Sequence, residues 1–193
     1  MRIFGRLESV GEENIPKTGG VILAPNHISY ADPPAVVSGM RRQVHFMAKE
    51  ELFKVPLLGF LIRNAGSFPV RRGTADRKAL KRAIELVNGG KVVCLFLEGT
   101  RSLNGELQDP ELGIGLVALK SGAPVVPVAL VGTEKMLPAH SWMPRFHRVK
   151  IVYGQPLWFE DLYEGPHNRA ALEQVGRRTM RAIADLLARK NVC

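Results

Sequence analysis

The sequence predicts an α/β fold in which a mixed central β-sheet is flanked by helices. Three continuous apolar runs, at residues 20–25, 91–97 and 125–131, have the length and composition of buried strands. Residues 74–88 and 169–190 instead place apolar side chains at helical spacing. Strands that alternate with helices form layered α/β domains. Since 193 residues suffice for one such domain, we expect residues 1–193 to fold as a single unit.

The elements before residue 70 follow from turn signals and short apolar runs. Residues 1–19 indicate an opening strand and a turn. Asp32-Pro33-Pro34 indicates the start of a helix that reaches about residue 40, because aspartate caps free N–H groups and proline is tolerated at the first helical position. The remaining elements of this half are a strand at 43–48, a short helix opening at 49–53 and a short strand at 66–72.

The first helix after residue 70 should be capped by Thr74 and end at Asn88-Gly89-Gly90. Its side away from the core is cationic and carries Arg77, Lys78, Lys81 and Arg82. These charges form either an ordinary solvated face or, together with Arg71 and Arg72, a patch for a phosphate or an acidic partner.

The last third of the chain predicts two helices and two strands. The helices are expected at residues 113–121 and 169–190, and the strands at 125–131 and 149–154. Because Pro127 interrupts the first of these strands, that strand should be irregular or lie at an edge of the sheet.

Residues 55–62 form an apolar patch around Pro56, for which two interpretations remain open. The patch either packs in the core or contacts an acyl chain or a bilayer, because a docking lipid requires apolar protein surface.

Composition narrows the possible partners. The net charge of +9 favours an anionic partner such as nucleic acid, anionic lipid or a phosphorylated metabolite. Aromatic residues make up only 7% of the chain and do not alternate with basic residues, so we do not expect nucleic-acid binding.

Cysteine content and hydropathy predict a cytoplasmic protein with at most peripheral membrane contact. Cys94 and Cys193 form neither a disulfide framework nor a metal-binding spacing. The longest uncharged run, residues 121–133, is too short to span a bilayer. The first residues lack the apolar core of a signal peptide. We therefore expect a location at the cytoplasmic face of the membrane, without a transmembrane helix.

His27 and Asp32 are the first candidate site residues, at the junction between strand 20–25 and the next helix. A turn can bring them together, whereas on one helix they would lie roughly 140° apart. Histidine accepts protons near neutral pH, and a carboxylate on its other ring nitrogen fixes its tautomer. Ser29 lacks the setting of a nucleophile elbow. Either His27 activates a hydroxyl of the substrate, or Asp32 only caps the helix and His27 packs at the turn.

The second candidate segment, Glu98-Gly99-Thr100-Arg101-Ser102, follows the strand predicted at 91–97. Ligands of open α/β sheets bind at the carboxyl ends of strands. The guanidinium group of arginine matches a phosphate, and the hydroxyl groups and glycine backbone add donors. Glu98 would orient Arg101 or receive a substrate hydroxyl. A surface turn with a salt bridge is the alternative.

Four segments together resemble, in order, the motif blocks of glycerolipid acyltransferases. They are Asn26-His27-x-x-x-x-Asp32, Gly66-x-Phe68-x-Val70-x-Arg72, Phe96-Leu97-Glu98-Gly99-Thr100-Arg101-Ser102 and Val126-Pro127-Val128-Ala129-Leu130. The resemblance covers about residues 6–155 and is nearest to the bacterial 1-acylglycerol-3-phosphate acyltransferases. Leu97 stands where that family usually has proline, and Pro69 and Arg71 vary the second block.

The resemblance implies a glycerol-phosphate acyltransferase-like single domain. Such an enzyme transfers a fatty acyl group from acyl-CoA or acyl-carrier protein to lysophosphatidic acid, giving phosphatidic acid for phospholipid synthesis. It further implies that His27 is the base and Asp32 its orienting partner. The glycerol phosphate would be bound by Glu98, Gly99, Thr100 and Arg101, with Arg72 assisting. The resemblance implies no metal and no cofactor other than the acyl donor.

Three other acceptors and one non-catalytic function remain alternatives. An acyltransferase of the same fold could instead use another lysophospholipid, glycerol 3-phosphate or an aminoacyl lipid as its acceptor. A non-catalytic membrane-binding protein would also explain the basic composition, because an anionic membrane surface and an acidic carrier protein both attract cations.

Overall fold

Seven strands form one mixed sheet in the computed structural model, which describes residues 7–71, 76–102, 106–138, 143 and 145–189. The strands are β1 Leu7–Val10, β2 Val21–Pro25, β3 Val44–Lys49, β4 Phe68–Val70, β5 Val92–Cys94, β6 Val125–Val131 and β7 Val149–Tyr153. Their order is β1-β7-β6-β2-β5-β3-β4, and only the β6–β7 pair is antiparallel among the described strands. The predicted mixed α/β sheet is confirmed.

Helices flank this sheet. They are α1 Asp32–Ser38, α2 Pro56–Asn64, α3 Arg77–Asn88, α4 Leu112–Ser121, α5 Thr133–Met136, α6 Glu160–Tyr163 and α7 Arg169–Arg189. Short 3-10 helices cover Glu12–Asn14 and Glu50–Lys54.

Two apolar clusters lie on the two faces of the sheet. Leu23 of β2 packs with α1, whereas Ile22 packs in the cluster formed by α3, α4 and α7. Successive strand residues point to opposite faces, and both faces are covered. Central strands are therefore apolar at every position, which explains the continuous apolar runs in the sequence.

Strand β6 lies inside the sheet, so of the two alternatives predicted from Pro127, an irregular strand or an edge strand, the edge strand is wrong. The Pro127 carbonyl accepts a hydrogen bond from the Gly154 N–H at 2.8 Å, just beyond the last β6–β7 pair. Because the nitrogen and carbonyl of one strand residue point to the same side, the missing N–H of Pro127 faces β7 and removes no bond to β2.

Two element boundaries also differ from the prediction. Helix α3 begins at Arg77 and is capped by Asp76, whose carboxylate accepts from the N–H groups of Lys78 and Ala79. The predicted cap, Thr74, lies outside the described residues. Strand β5 ends at Cys94 rather than at residue 97, because the chain leaves the sheet there and enters the candidate site.

Residues 55–62 do not pack in the core. Most of them lie in α2, whose Leu57, Phe60 and Leu61 are exposed, so the core interpretation of this patch is wrong. Among the described residues, no helix combines the length and the hydropathy needed to cross a membrane.

Candidate active site

The two predicted site segments meet at one edge of the sheet. His27 follows β2 and Glu98 follows β5, and these two strands are parallel neighbours. Their carboxyl ends therefore lie side by side, where open α/β sheets bind their ligands.

His27 and Asp32 form a direct hydrogen bond. The distance from His27 Nδ1 to Asp32 Oδ2 is 2.8 Å. His27 is 6% exposed and Asp32 is fully buried. With Nδ1 bound to the carboxylate, Nε2 is the nitrogen left to exchange a proton with another molecule.

The carboxylate of Asp32 organises the turn that carries His27. Besides the imidazole, Asp32 Oδ2 accepts from the N–H groups of Ile28 and Ser29, each at 2.8 Å. The prediction that Asp32 caps α1 is wrong, because Asp32 is already the first helical residue and makes no side-chain bond to the helix. Its side chain points back to the turn, and this orientation brings the carboxylate to His27 although the two residues are five positions apart.

Glu98 and Ser102 join this turn to the second segment. Glu98 Oε1 accepts from the His27 N–H at 2.9 Å, and the Ser102 N–H donates to the His27 carbonyl at 2.8 Å. Both main-chain groups of His27 are thus held by the segment that follows β5. Glu98 is 5% exposed, and burial raises the pKa of its carboxyl above the ordinary value.

Phe96 and Asn26 are two site residues to which sequence reasoning assigned no role. The Phe96 ring stacks on the His27 imidazole with a centroid distance of 4.0 Å. The Asn26 side chain accepts from Leu130 N at 2.7 Å and donates to Leu130 O at 3.1 Å, which fixes the start of the turn to β6. The signal for Asn26 was its place beside a buried strand, where a polar side chain requires partners.

The remainder of the second segment forms an open turn. Gly99 has a φ of +63°, a conformation that favours glycine. Thr100 is exposed, and the Arg101 guanidinium lies 3.5 Å from the centroid of the Tyr30 ring. The structure thus brings Arg101 to the His27 turn through an aromatic contact that the sequence did not reveal. Arg72, the remaining predicted site residue, lies outside the described residues.

A largely apolar cavity of about 570 Å³ adjoins the site. Phe96, Gly99 and Thr100 line it on the side of the second segment. Its apolar wall comes from β3, β4, α3 and α4 and includes Met47, Val70, Leu80, Ile114 and Leu116. Within the part of the chain that the structure describes, no three His, Cys, Asp or Glu side chains are grouped as metal ligands would be.

Comparison with known proteins identifies the family. A family profile described as Acyltransferase matches residues 6–131, about two thirds of the chain. The chain belongs to the acyltransferase family. The resemblance seen in the four motif blocks is therefore confirmed at the level of the family.

Similar proteins include acyltransferases of plants and bacteria. The chain is 32% identical over 159 residues to the chloroplastic 1-acyl-sn-glycerol-3-phosphate acyltransferase BAT2 of Brassica napus, covering 80% of this chain but 46% of the plant protein. It is 28% identical over 167 residues to the 1-acyl-sn-glycerol-3-phosphate acyltransferase of Bacillus subtilis, covering 86% and 81% of the two chains.

A solved structure has the same fold. The crystal structure of the 1-acyl-sn-glycerophosphate (LPA) acyltransferase PlsC from Thermotoga maritima superposes with a TM-score of 0.75 and 29% identity. The match covers 95% of this chain and 73% of that one. The acyltransferase fold thus includes nearly all of the present chain.

Proposed function

We propose that this protein transfers a fatty acyl group from a thioester donor to the free hydroxyl of 1-acylglycerol 3-phosphate, giving phosphatidic acid. The donor is acyl-CoA or acyl-carrier protein. The observation that carries the proposal is the buried His27–Asp32 pair, which is joined to the Glu98–Ser102 segment. The names of the relatives support the choice of acceptor.

In this reaction His27 acts as the general base. Its Nε2 takes the proton of the acceptor hydroxyl while the hydroxyl oxygen attacks the thioester carbonyl. The tetrahedral intermediate then expels the thiolate, which receives the proton from His27, so the imidazole returns to its starting state. Asp32 keeps Nδ1 protonated and the ring oriented throughout.

Ser29 does not fit the role of a covalent nucleophile. Its hydroxyl donates to the Leu137 carbonyl at 2.9 Å and accepts from the Ala31 N–H at 3.1 Å, and the residue is 1% exposed. A serine nucleophile instead directs its hydroxyl at a base. The acceptor therefore attacks the thioester directly.

The second segment supplies the phosphate site. Arg101, steadied by Tyr30, and the exposed Thr100 are the donors for the glycerol phosphate, with the freed backbone at Gly99 and with Arg72 as a further cation. Glu98 holds the His27 turn from inside. The apolar cavity beside Phe96 has the size and lining for an acyl chain.

The proposal also includes the place where the enzyme acts. The acceptor is an anionic lipid, so the enzyme works peripherally at the cytoplasmic face of an anionic membrane, to which a net charge of +9 attracts it. No metal and no cofactor other than the acyl donor takes part in the proton transfer described.

The test compares wild type with His27→Ala in acyl transfer from oleoyl-CoA, and from acyl-carrier protein, to 1-oleoylglycerol 3-phosphate. Loss of the base should lower the rate by roughly 10²–10⁴-fold. His45→Ala is the matched control. His45 is also hydrogen-bonded, in its case to the Gly66 carbonyl, but it lies toward the amino ends of the strands, whereas His27 lies at their carboxyl ends. A folded His27→Ala protein with a rate within tenfold of wild type would remove His27 from the mechanism.

A further inference from the structure

Helix α2 turns an apolar stripe toward solvent. Leu57, Phe60 and Leu61 follow the i, i+3, i+4 spacing and so share one side of the helix. Their exposed fractions are 73%, 61% and 55%. An amphipathic helix of a globular domain normally turns such a stripe to the core, so α2 is inverted with respect to that rule. These three residues are called the α2 stripe below.

The packing of α2 against the preceding 3-10 helix fixes this orientation. A Cβ atom at Gly59, on the inner side, would collide with the Phe53 carbonyl. Arg63 donates through Nη2 to the same carbonyl at 3.0 Å and lies over the Phe53 ring at 5.6 Å. Phe53 is buried. Rotation of the α2 stripe into the protein would break all of these contacts, so the stripe stays outside.

The segment that carries the α2 stripe has an excess of positive charge. Residues 49–71 contain four cations and two carboxylates. Both carboxylates pair with cations of the same segment, Glu50 with Arg71 at 2.8 Å and Glu51 with Lys49 at 3.4 Å. A neighbouring groove is lined by two carboxylates, Glu50 and Asp76, and by four cations, Arg71, Arg77, Lys78 and Arg82. The excess of positive charge next to apolar surface is complementary to anionic lipid.

The unit that carries the α2 stripe begins at the same edge of the sheet as the candidate active site. The 3-10 helix that supports α2 begins directly after β3, which is parallel to β5, as β5 is to β2. The start of this unit therefore lies at the same sheet edge as His27 and Glu98. A bilayer that touches α2 would lie beside the edge at which an acceptor lipid must arrive.

We propose that the α2 stripe inserts into the interfacial region of a bilayer that contains anionic lipids. The apolar side chains of an interfacial helix are buried about 5–10 Å into the boundary between headgroups and acyl chains. The neighbouring cations of the 3-10 helix and α3 contact the headgroups. This inference rests on the proposed function, because an acceptor in the membrane gives the docking its purpose.

The main experiment measures binding to vesicles of phosphatidylcholine with about 30 mol% phosphatidylglycerol. The triple variant Leu57→Ser, Phe60→Ser, Leu61→Ser should bind at least about tenfold more weakly than wild type, because it loses the inserted apolar area. Trp158→Ser is the matched control. Trp158 is 49% exposed and follows Leu157, which pairs with the first residue of β6 at the opposite edge of the sheet. This variant should bind within about twofold of wild type.

A second readout separates docking from catalysis. A short-chain 1-acylglycerol 3-phosphate, used as a dissolved monomer, should be acylated by wild type and the triple variant at rates within about twofold, since none of the α2 stripe residues belongs to the candidate active site. If wild type fails to acylate this acceptor, the proposed function falls, while the vesicle result still decides the docking.

A conservative variant keeps the inference open to refutation if the triple variant does not fold. In Phe60→Trp, the emission should shift to the blue on vesicles and be quenched by brominated acyl chains beyond the change seen for the two native tryptophans. Unchanged emission, or equal vesicle binding by the triple variant and wild type, would overturn the inference. A wild-type dimer that the triple variant dissociates would also overturn it, and would assign the α2 stripe to a second copy of the chain.

Discussion

Three hydrogen bonds converge on a single oxygen of Asp32. The donors are His27 Nδ1 and the N–H groups of Ile28 and Ser29, each at 2.8 Å. A carboxylate in this position holds both the imidazole and the backbone that carries it. The aspartate in the H-x-x-x-x-D pattern is thus a structural residue of the turn as well as the partner of the base, and its position five residues downstream follows from the size of that turn.

Glu98 provides a pH-dependent test of the contact between the two segments. Burial raises the pKa of its carboxyl in the folded protein, so the folded state binds the proton more tightly than the unfolded state, where the pKa is about 4.3. Stability from this group is complete below the unfolded pKa and is lost as the pH rises through the folded pKa. In Glu98→Gln this dependence is absent, and one oxygen remains for the His27 N–H.

The measurement is urea unfolding of wild type and Glu98→Gln at several pH values from about 4 to 7. Wild type should lose stability relative to Glu98→Gln as the pH rises. Glu85→Gln, on the exposed side of α3, is the control and should show no such trend. A difference between wild type and Glu98→Gln that stays constant with pH would contradict the role of burial at Glu98.

At the scale of elements, α4 and α7 approach each other unusually closely. A Cβ atom at Gly115 of α4 would lie 2.5 Å from the Leu172 carbonyl oxygen of α7. At Gly113, two residues earlier, the nearest atom is the flexible end of the Leu80 side chain at 3.2 Å. The two glycines therefore have different reasons to be small, and they provide a matched pair within one helix.

In Gly115→Ala backbone atoms must move apart, at a cost of about 1–3 kcal/mol. The better helix propensity of alanine offsets about 1 kcal/mol of this cost, so we expect the free energy of unfolding to fall by up to about 2 kcal/mol. Gly113→Ala should leave the free energy of unfolding unchanged or raise it by up to about 1 kcal/mol. Urea unfolding measures both, and equal effects of the two substitutions would refute the close helix contact.

The elements that the sequence predicted well are those whose environment agrees with their local pattern. The continuous apolar run of β2 and the helical period of α7 both reflect burial, and both were placed within a few residues. Local patterns were not sufficient where tertiary position decides. Pro127 is tolerated inside the sheet because its nitrogen faces β7, just beyond the last β6–β7 pair. The apolar residues of α2 are exposed because the face of α2 that carries Gly59 packs against Phe53.

The contacts of the candidate site likewise include some that the local sequence predicts and some that it does not. The spacing of His27 and Asp32 was enough to predict that a turn joins them, because only one short turn separates the two residues. The bond from Glu98 to the His27 N–H joins residues 71 positions apart. The contacts of Tyr30 with Arg101 and of Asn26 with Leu130 are likewise long-range. Such contacts depend on strand order, which no local pattern encodes.

At the scale of the whole molecule, charge and apolar surface make separable contributions to membrane contact. The net charge of +9 acts over a Debye length of about 10 Å at 0.1 M salt and about 3 Å at 1 M. Insertion of the α2 stripe depends instead on apolar area, which salt does not screen. The two contributions should therefore respond differently to ionic strength.

Binding to anionic vesicles should fall several-fold as the salt concentration rises from about 0.05 to 0.5 M, but a salt-resistant part should remain in wild type. In the triple variant of the α2 stripe that part should be missing, so binding should vanish at high salt. Vesicles of phosphatidylcholine alone are the control, and on them wild-type binding should be weak and nearly independent of salt. Vesicle sedimentation across the salt series measures all three cases. Salt-independent binding of wild type to anionic vesicles would show that the positive charge of the molecule does not draw it to the membrane.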